Sequence, residues 1–151
     1  MITDEERQMK RMLWEYGSAD DRIKDINMQI KLQKETKQRM RDISSVRLDG
    51  LPSGTAVGDP VAGAAIKIVD RVEMNLKQLI SELDDIYEMQ DRMRNLMSCL
   101  NREEHRLIEW RYIKRIRWNS LPSRMHCSRS TCFNIHDRAM RKLIAKNKSL
   151  D

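Results

Sequence analysis

PVAGAAIKIVDRVEMNLKQLISELDDIYEMQDRMRNLMSCL, residues 60–100, carries apolar side chains at alternating intervals of four and three. Ala65, Val69, Val72, Leu76, Leu79, Leu83, Ile86, Gln90, Met93, Met97 and Leu100 form the series, and only Gln90 in it is polar. Such spacing keeps one stripe of a helix turned toward a partner, so it predicts a heptad-type helix and an all-α chain. About 40 residues at ~1.5 Å each give a helix roughly 60 Å long. A stripe of this length needs cover, from another helix of the chain or from a second copy. Val72, Leu76, Leu79, Leu83, Ile86 and Met93 are therefore the candidate oligomerisation residues. Gln90 either sets the register or marks a poorly packed layer; the pattern leaves both readings open.

Upstream, SSVRLDGLPSGTAVGDP, residues 44–60, holds three of the five glycines and two of the three prolines, and reads as a loop. Asp59 can cap the following helix with Pro60 in its first turn. Gly50, Gly54 and Gly58 do not make a phosphate-binding loop, because no hydrophobic strand precedes them and no Gly-Lys-Ser/Thr follows. Before the loop, a first helix is predicted over residues 3–45. Thr3 and Glu6 fit a capping box. Met9, Met12, Tyr16, Ala19, Ile23, Ile26 and Ile30 supply its apolar seam, with Gly17 as a soft spot. The loop lets the two helices fold back on each other, so residues 1–100 read as a helical hairpin that also oligomerises, with a dimer favoured.

The charge is unevenly placed. Residues 1–100 carry 16 Lys+Arg against 18 Asp+Glu, whereas residues 101–151 carry 13 against 5. The whole net excess of +6 arises in the last third, which points to a polyanionic partner, nucleic acid before anionic membrane. The opening residues are acidic and polar, unlike a secretory signal, and no apolar run is long enough to span a bilayer. A soluble cytoplasmic protein is expected, with Cys99, Cys127 and Cys132 as reduced thiols.

Residues 101–151 read as a separate small domain. Asn101 and Glu104 form a second capping box, and Leu107, Ile108, Tyr112 and Ile116 make the inward face of the helix they open. A short helix over 119–125, capped by Asn119, a turn at His126 and Cys127, and a longer helix capped by Ser128 follow. Cys132, Ile135, Ala139, Met140 and Leu143 would face inward. Arg129, Ser130, Thr131, Asn134, Arg138 and Arg141 would face outward. This is the division a helix-turn-helix needs, since Arg can pair with guanine and Asn with adenine in the major groove. Arg129, Ser130, Thr131, Asn134 and Arg138 are the candidate base contacts, Arg124, Arg141 and Lys142 the candidate phosphate contacts, and Ser128 caps the same helix end. Residues 113–148 hold ten Lys+Arg against the single acid Asp137, so the electrostatic footprint coincides with the helix pair.

The stretch LNREEHRLIEWRYIKRIRWNSLPSRMHCSRSTCFNIHDRAMRKL, residues 100–143, resembles the helix-turn-helix of sigma factor region 4. The shared features are a leucine-bearing helix ending in Arg-Tyr, then Trp, a helix ending in Met, Ser opening the next helix, and Ala-x-x-x-Leu closing it. With the long helical region before it, the chain resembles the RinA/ArpU-like phage transcriptional regulators. That resemblance implies a sequence-specific activator of phage late genes, acting on double-stranded DNA at the nucleoid of a bacterial host, with host RNA polymerase as a further partner. Two positions depart from the pattern: Pro122 replaces the usual Ala, and the turn lacks its usual Gly.

The same residues allow two other functions, a DNA-binding oligomeric packaging or assembly protein and an RNA-polymerase adaptor. His126, Cys127, Cys132 and His136 raise zinc, but Cys127-x4-Cys132 spans a turn into a helix and Cys132 is expected to face the core, so they read as structural. No oxyanion hole or oriented Cys–His pair is evident, so no enzyme, metal or cofactor is expected. Trp110 and Trp118 read as packing anchors rather than base-stacking groups.

Overall fold

Thr3 opens the first helix. Its Oγ1 accepts the Glu6 amide at 3.2 Å, and Asp4, Glu5 and Glu6 set negative charge against the positive helix end. The computed structural model describes residues 2–49 and 60–151. In chain order the elements are α1 (Asp4–Asp49), α2 (Pro60–Met97), α3 (Arg102–Ile108), α4 (Leu121–Met125) and α5 (Arg129–Ser149); α3 runs on into a π-helical turn, Glu109–Ile113. All the secondary structure among the described residues is helical, as the periodicity predicts. No helix among them is long and apolar enough to cross a membrane.

Helix α1 continues past residue 45, so the start of the predicted 44–60 loop is helical. Residues 44–49 contain neither Gly nor Pro, so nothing in them breaks the helix. The remainder of that loop, with Gly50, Gly54, Gly58 and the Asp59 cap, lies outside the described residues.

The chain divides into two units, and the boundary is not at residue 100. One unit is Arg22–Asp85, and the other joins Met1–Asp21 to Ile86–Asp151. The 1–100/101–151 division follows the end of the heptad seam, but packing does not. Met9 and Leu13 of α1 and Met93, Leu96 and Met97 of α2 enter the same core as Leu107, Ile108, Tyr112, Cys132, Ile135 and Leu143.

In the unit Arg22–Asp85, α1 and α2 pair as a hairpin. Ile26, Ala62, Ala65, Val72 and Leu76 are buried between them, and Ile23, Ile30, Val69, Leu79 and Leu83 are half-buried. Glu73 bridges the pair, taking Lys37 Nζ at 3.2 Å and Arg41 Nη2 at 3.4 Å. The Lys37 hydrogen bond and its charge hold the Glu73 carboxyl below the ordinary carboxylate range.

The oligomerisation residues named from the sequence are corrected by this packing. Val72, Leu76, Ile86 and Met93 are buried within the chain and Leu79 and Leu83 half-buried, so the seam is not left over for a second copy. What the hairpin unit does expose is a different set, including Met28, Leu32, Ile66, Ile68, Met74 and Ile80.

In the other unit, Gln90 is buried and its Nε2 donates to Asp20 Oδ1 at 3.0 Å. The polar break in the seam therefore fixes α2 against α1, and the register reading is the correct one. At the far end of α5, Arg92 donates to Asn147 Oδ1 at 2.7 Å and Asp151 Oδ1 at 2.8 Å. Lys148 pairs with Glu5 at 2.6 Å. These contacts tie the end of α5 to both long helices.

Gly17 is not a soft spot but a contact. A Cβ placed there would lie 2.4 Å from the Tyr112 carbonyl oxygen and 3.1 Å from Ile113 Cα. Only a residue without a side chain lets α1 lie this close to the π-helical turn.

Candidate nucleic-acid interface

Asn101 and Glu104 form the full capping box. Glu104 N donates to Asn101 Oδ1 at 2.8 Å, and Asn101 N donates to Glu104 Oε1 at 3.0 Å. The same Oε1 takes Lys142 Nζ from α5 at 2.6 Å. Glu104 is completely buried. Burial opposes its charge, but the Lys142 hydrogen bond, the Asn101 amide and the Lys142 charge outweigh it, holding the carboxyl below its ordinary range. One box residue thus starts α3 and docks α5 onto it.

The π-helical turn Glu109–Ile113 was not foreseen, because an i→i+5 ladder leaves no periodic mark over five residues. Lys114 N donates to Glu109 O and Ile116 N to Trp110 O, each at 2.9 Å, and Arg115 takes φ 57° to leave the helix. Leu107, Ile108 and Tyr112 are buried as the inward face, with Ile116 half-buried.

The first helix of the predicted pair is shorter than the sequence suggests. It begins at Leu121 rather than 119, and its cap position is Ser120 rather than Asn119, with no side-chain cap bond. Pro122 falls in the first turn, where a missing N–H is tolerated. The helix closes at His126, which takes the left-handed conformation at φ 55°, ψ 41° and donates its N–H to Pro122 O. Cys127 N donates to the same carbonyl at 3.1 Å. The turn that lacks glycine therefore still adopts the geometry that glycine usually serves.

Ser128 caps α5 as the sequence implies, its Oγ accepting the Thr131 amide at 3.2 Å. Its hydroxyl also meets Thr131 Oγ1 at 2.8 Å and Ser130 Oγ at 3.2 Å. Cys132, Ile135, Ala139, Met140 and Leu143 are all buried. Arg124, Ser128, Arg129, Ser130, Thr131, Asn134, Arg138, Arg141 and Lys142 are all exposed.

Exposure does not leave these residues equivalent. Arg138 pairs with Glu103 Oε2 at 3.2 Å, an exposed pair that a phosphate can replace. Lys142 is committed to the buried Glu104, so its ammonium already serves the fold. Arg129 lies over the Phe133 ring at 5.6 Å.

Phe133 leads to an arrangement that sequence reasoning missed. Phe133 stacks on Trp118 at 4.8 Å between centroids, Arg111 lies over Trp118 at 5.5 Å and over Trp14 at 5.2 Å, and Arg115 lies over Trp14 at 5.3 Å. Cations and rings are interleaved from α1 to the start of α5, fixing where Arg129 begins. Trp118 is held inside this stack, which agrees with its reading as an anchor. The i,i+4 spacings of Arg111/Arg115 and Arg129/Phe133 are visible in the sequence. The arrival of Trp14 between two of these arginines is not.

His136, placed on neither face beforehand, is buried and its Nε2 lies 2.7 Å from the Tyr112 hydroxyl. Burial is the main cause that pushes the imidazole down to about 4, and the Tyr112 hydroxyl and His136 Nε2 share one buried hydrogen bond. Burial likewise pushes the Tyr112 phenol up to about 12. Among the described residues no group of three or more His, Cys, Asp or Glu side chains gathers as a metal-ligand set. Cys127 and Cys132 instead meet each other, Sγ to Sγ at 3.1 Å. No family model, no curated protein and no solved structure matches the chain.

Proposed function

We propose that the chain binds double-stranded DNA through the exposed face of α5 and acts as a sequence-specific transcriptional regulator. The late-gene activation implied by the RinA/ArpU-like resemblance is the specific role assigned to it. One observation carries the reading. The first three turns of α5 present Arg129, Ser130, Thr131, Asn134 and Arg138 outward, while the opposite face is buried in the core. A helix held this way offers small polar and basic groups at its positive end to a groove of alternating acceptors and donors. Arg124 and Arg141, exposed beside that face, are the phosphate contacts in this proposal. Lys142 is given less weight, because moving it to a phosphate would strand Glu104. No catalytic step or cofactor forms part of the proposal.

A second reading, a DNA-binding assembly protein with an oligomeric helical body, is favoured by the apolar side chains that the unit Arg22–Asp85 exposes. The two readings separate by experiment. Selection of bound duplexes from a random pool, followed by binding of the winner over a salt series, should return a shared motif that outbinds random DNA at moderate salt. Arg129→Ala should then relax base preference, with a loss of ~1–3 kcal/mol in discrimination. A pool that enriches nothing, with affinity collapsing as salt rises, would mean backbone binding alone. That outcome, with light scattering reporting a large closed ring, would replace the regulator by the assembly protein.

A further inference from the structure

Cys127 and Cys132 stand at special places in the turn between α4 and α5. With Ser128 as the cap, Cys127 is the residue before the cap and Cys132 is the fourth residue of the helix. This is the pair of positions at which apolar side chains staple the entry to a helix. Here the staple consists of two thiols with their sulfurs 3.1 Å apart, about 1 Å beyond bonding distance. Cys132 is fully buried and Cys127 half-buried, and both are free. An inert staple needs only apolar bulk, which Leu or Val would supply. Two sulfurs in contact, one of them reachable from solvent, can do chemistry as well.

The geometry points to a reversible dithiol–disulfide site in which Cys127 and Cys132 bond across the cap of α5. The oxidant class is a low-molecular-weight disulfide. The Cys127 thiolate attacks one sulfur of that disulfide, giving a mixed disulfide and releasing one thiolate. The Cys132 thiolate then attacks the Cys127 sulfur and releases the second thiolate. The protein loses two electrons and two protons, and the small disulfide is reduced to two thiols. Exposure orders the steps, since only Cys127 is reachable from solvent. Burial and the neighbouring Cys127 push the Cys132 thiol up to about 11, so Cys132 serves as the buried resolving thiol, acting through its minor thiolate form on a Cys127 sulfur already beside it.

The consequence for DNA rests on the proposed function; formation of the bond does not. Drawing Cys127 toward Cys132 pulls on Ser128, whose hydroxyl holds Ser130 and Thr131. These three side chains lie at the front of the exposed α5 face. Oxidation should therefore lower duplex affinity severalfold.

The test uses the full chain, oxidised with glutathione disulfide, then alkylated with a maleimide and digested with trypsin. Arg129 lies between the two cysteines, so cleavage separates them into peptides 125–129 and 130–138. The expected product is those two peptides joined, released by dithiothreitol, with Cys99 alkylated as the internal control. Persistent glutathione on Cys127 without the joined product, or full alkylation of both thiols, would overturn the site. Duplex binding is measured on reduced and oxidised protein beside Cys127→Ser. A severalfold loss on oxidation in the wild type alone supports the regulatory consequence, and equal affinity in both states overturns it. Joined peptides without duplex binding in either state would sink the DNA reading and leave the cysteine site standing.

Discussion

The same substitution, Gly→Ala, should have opposite signs at two helical positions. Gly63 in α2 has nothing within 4 Å of the place an added Cβ would occupy, whereas at Gly17 that Cβ would sit 2.4 Å from the Tyr112 carbonyl oxygen. In either helix Ala gains from a less free unfolded chain, about 0.5–1 kcal/mol. At Gly63 this is the whole effect, and Gly63→Ala should be more stable by about that amount. At Gly17 the gain meets an obstacle. A carbon–oxygen approach of roughly 3.3 Å is the close end of the ordinary range, so about 0.9 Å must be recovered by moving α1 away from the π-helical turn. The obstacle is backbone, which cannot rotate aside, and overpacking of this kind costs roughly 1–3 kcal/mol. The net effect is a loss of about 1–2 kcal/mol, leaving the two variants about 1.5–3 kcal/mol apart. Urea unfolding read by tryptophan fluorescence follows the correct unit for Gly17, because Trp14, Trp110 and Trp118 all lie in it. Far-UV circular dichroism follows Gly63→Ala. A Gly17→Ala protein as stable as the wild type would refute the close approach of α1 to the Tyr112–Ile113 backbone, and with it the explanation for glycine there.

Three further outcomes follow from contacts within the same unit. His126→Gly relieves a left-handed non-glycine residue and should raise stability by about 1 kcal/mol, seen as a higher urea midpoint; no change would mean the side chain compensates for its backbone. Lys142→Ala leaves the buried Glu104 carboxylate without its cation and should lose about 2 kcal/mol, whereas Arg141→Ala should be near neutral. Equal losses for the two would remove the Glu104–Lys142 bond as the tie between α3 and α5. The pH dependence turns on His136, neutral among Tyr112, Lys10, Arg111 and Asp137. Its folded value near 4 lies below the unfolded 6.5, so the unfolded chain takes the proton first. The stability it contributes is present above pH 6.5 and is lost as pH falls through 4, up to about 3 kcal/mol. Unfolding measured at pH 7 and pH 4 should therefore show a larger drop for the wild type than for His136→Gln, and parallel drops would place the acid sensitivity elsewhere.

The long helices, their seam, the Asn101–Glu104 box, the Ser128 cap and the two faces of α5 were legible in the residues alone. Each depends on neighbours a few positions apart, so local spacing and capping chemistry determine it. Gln90 shows where that reach ends. Its polar character stood out in the heptad series, but only Asp20, distant in sequence, made it a register pin. Gly17 looked like a weakness in α1 because helix propensity is a local quantity, and it became a contact once the π-helical turn arrived beside it. The boundary between the units moved from residue 100 into the middle of both long helices for the same reason, since Met9, Leu13 and Met93 belong to a core whose other members follow residue 100. Among the candidate DNA contacts, sequence spacing determined which residues face outward. Tertiary structure alone decided that Lys142 is bound to Glu104, that Arg129 rests on an aromatic stack, and that two thiols meet across the cap of α5. Apolar periodicity states which face is covered, but the covering partner is set by side chains converging from several elements, and that information exists only after the chain has folded.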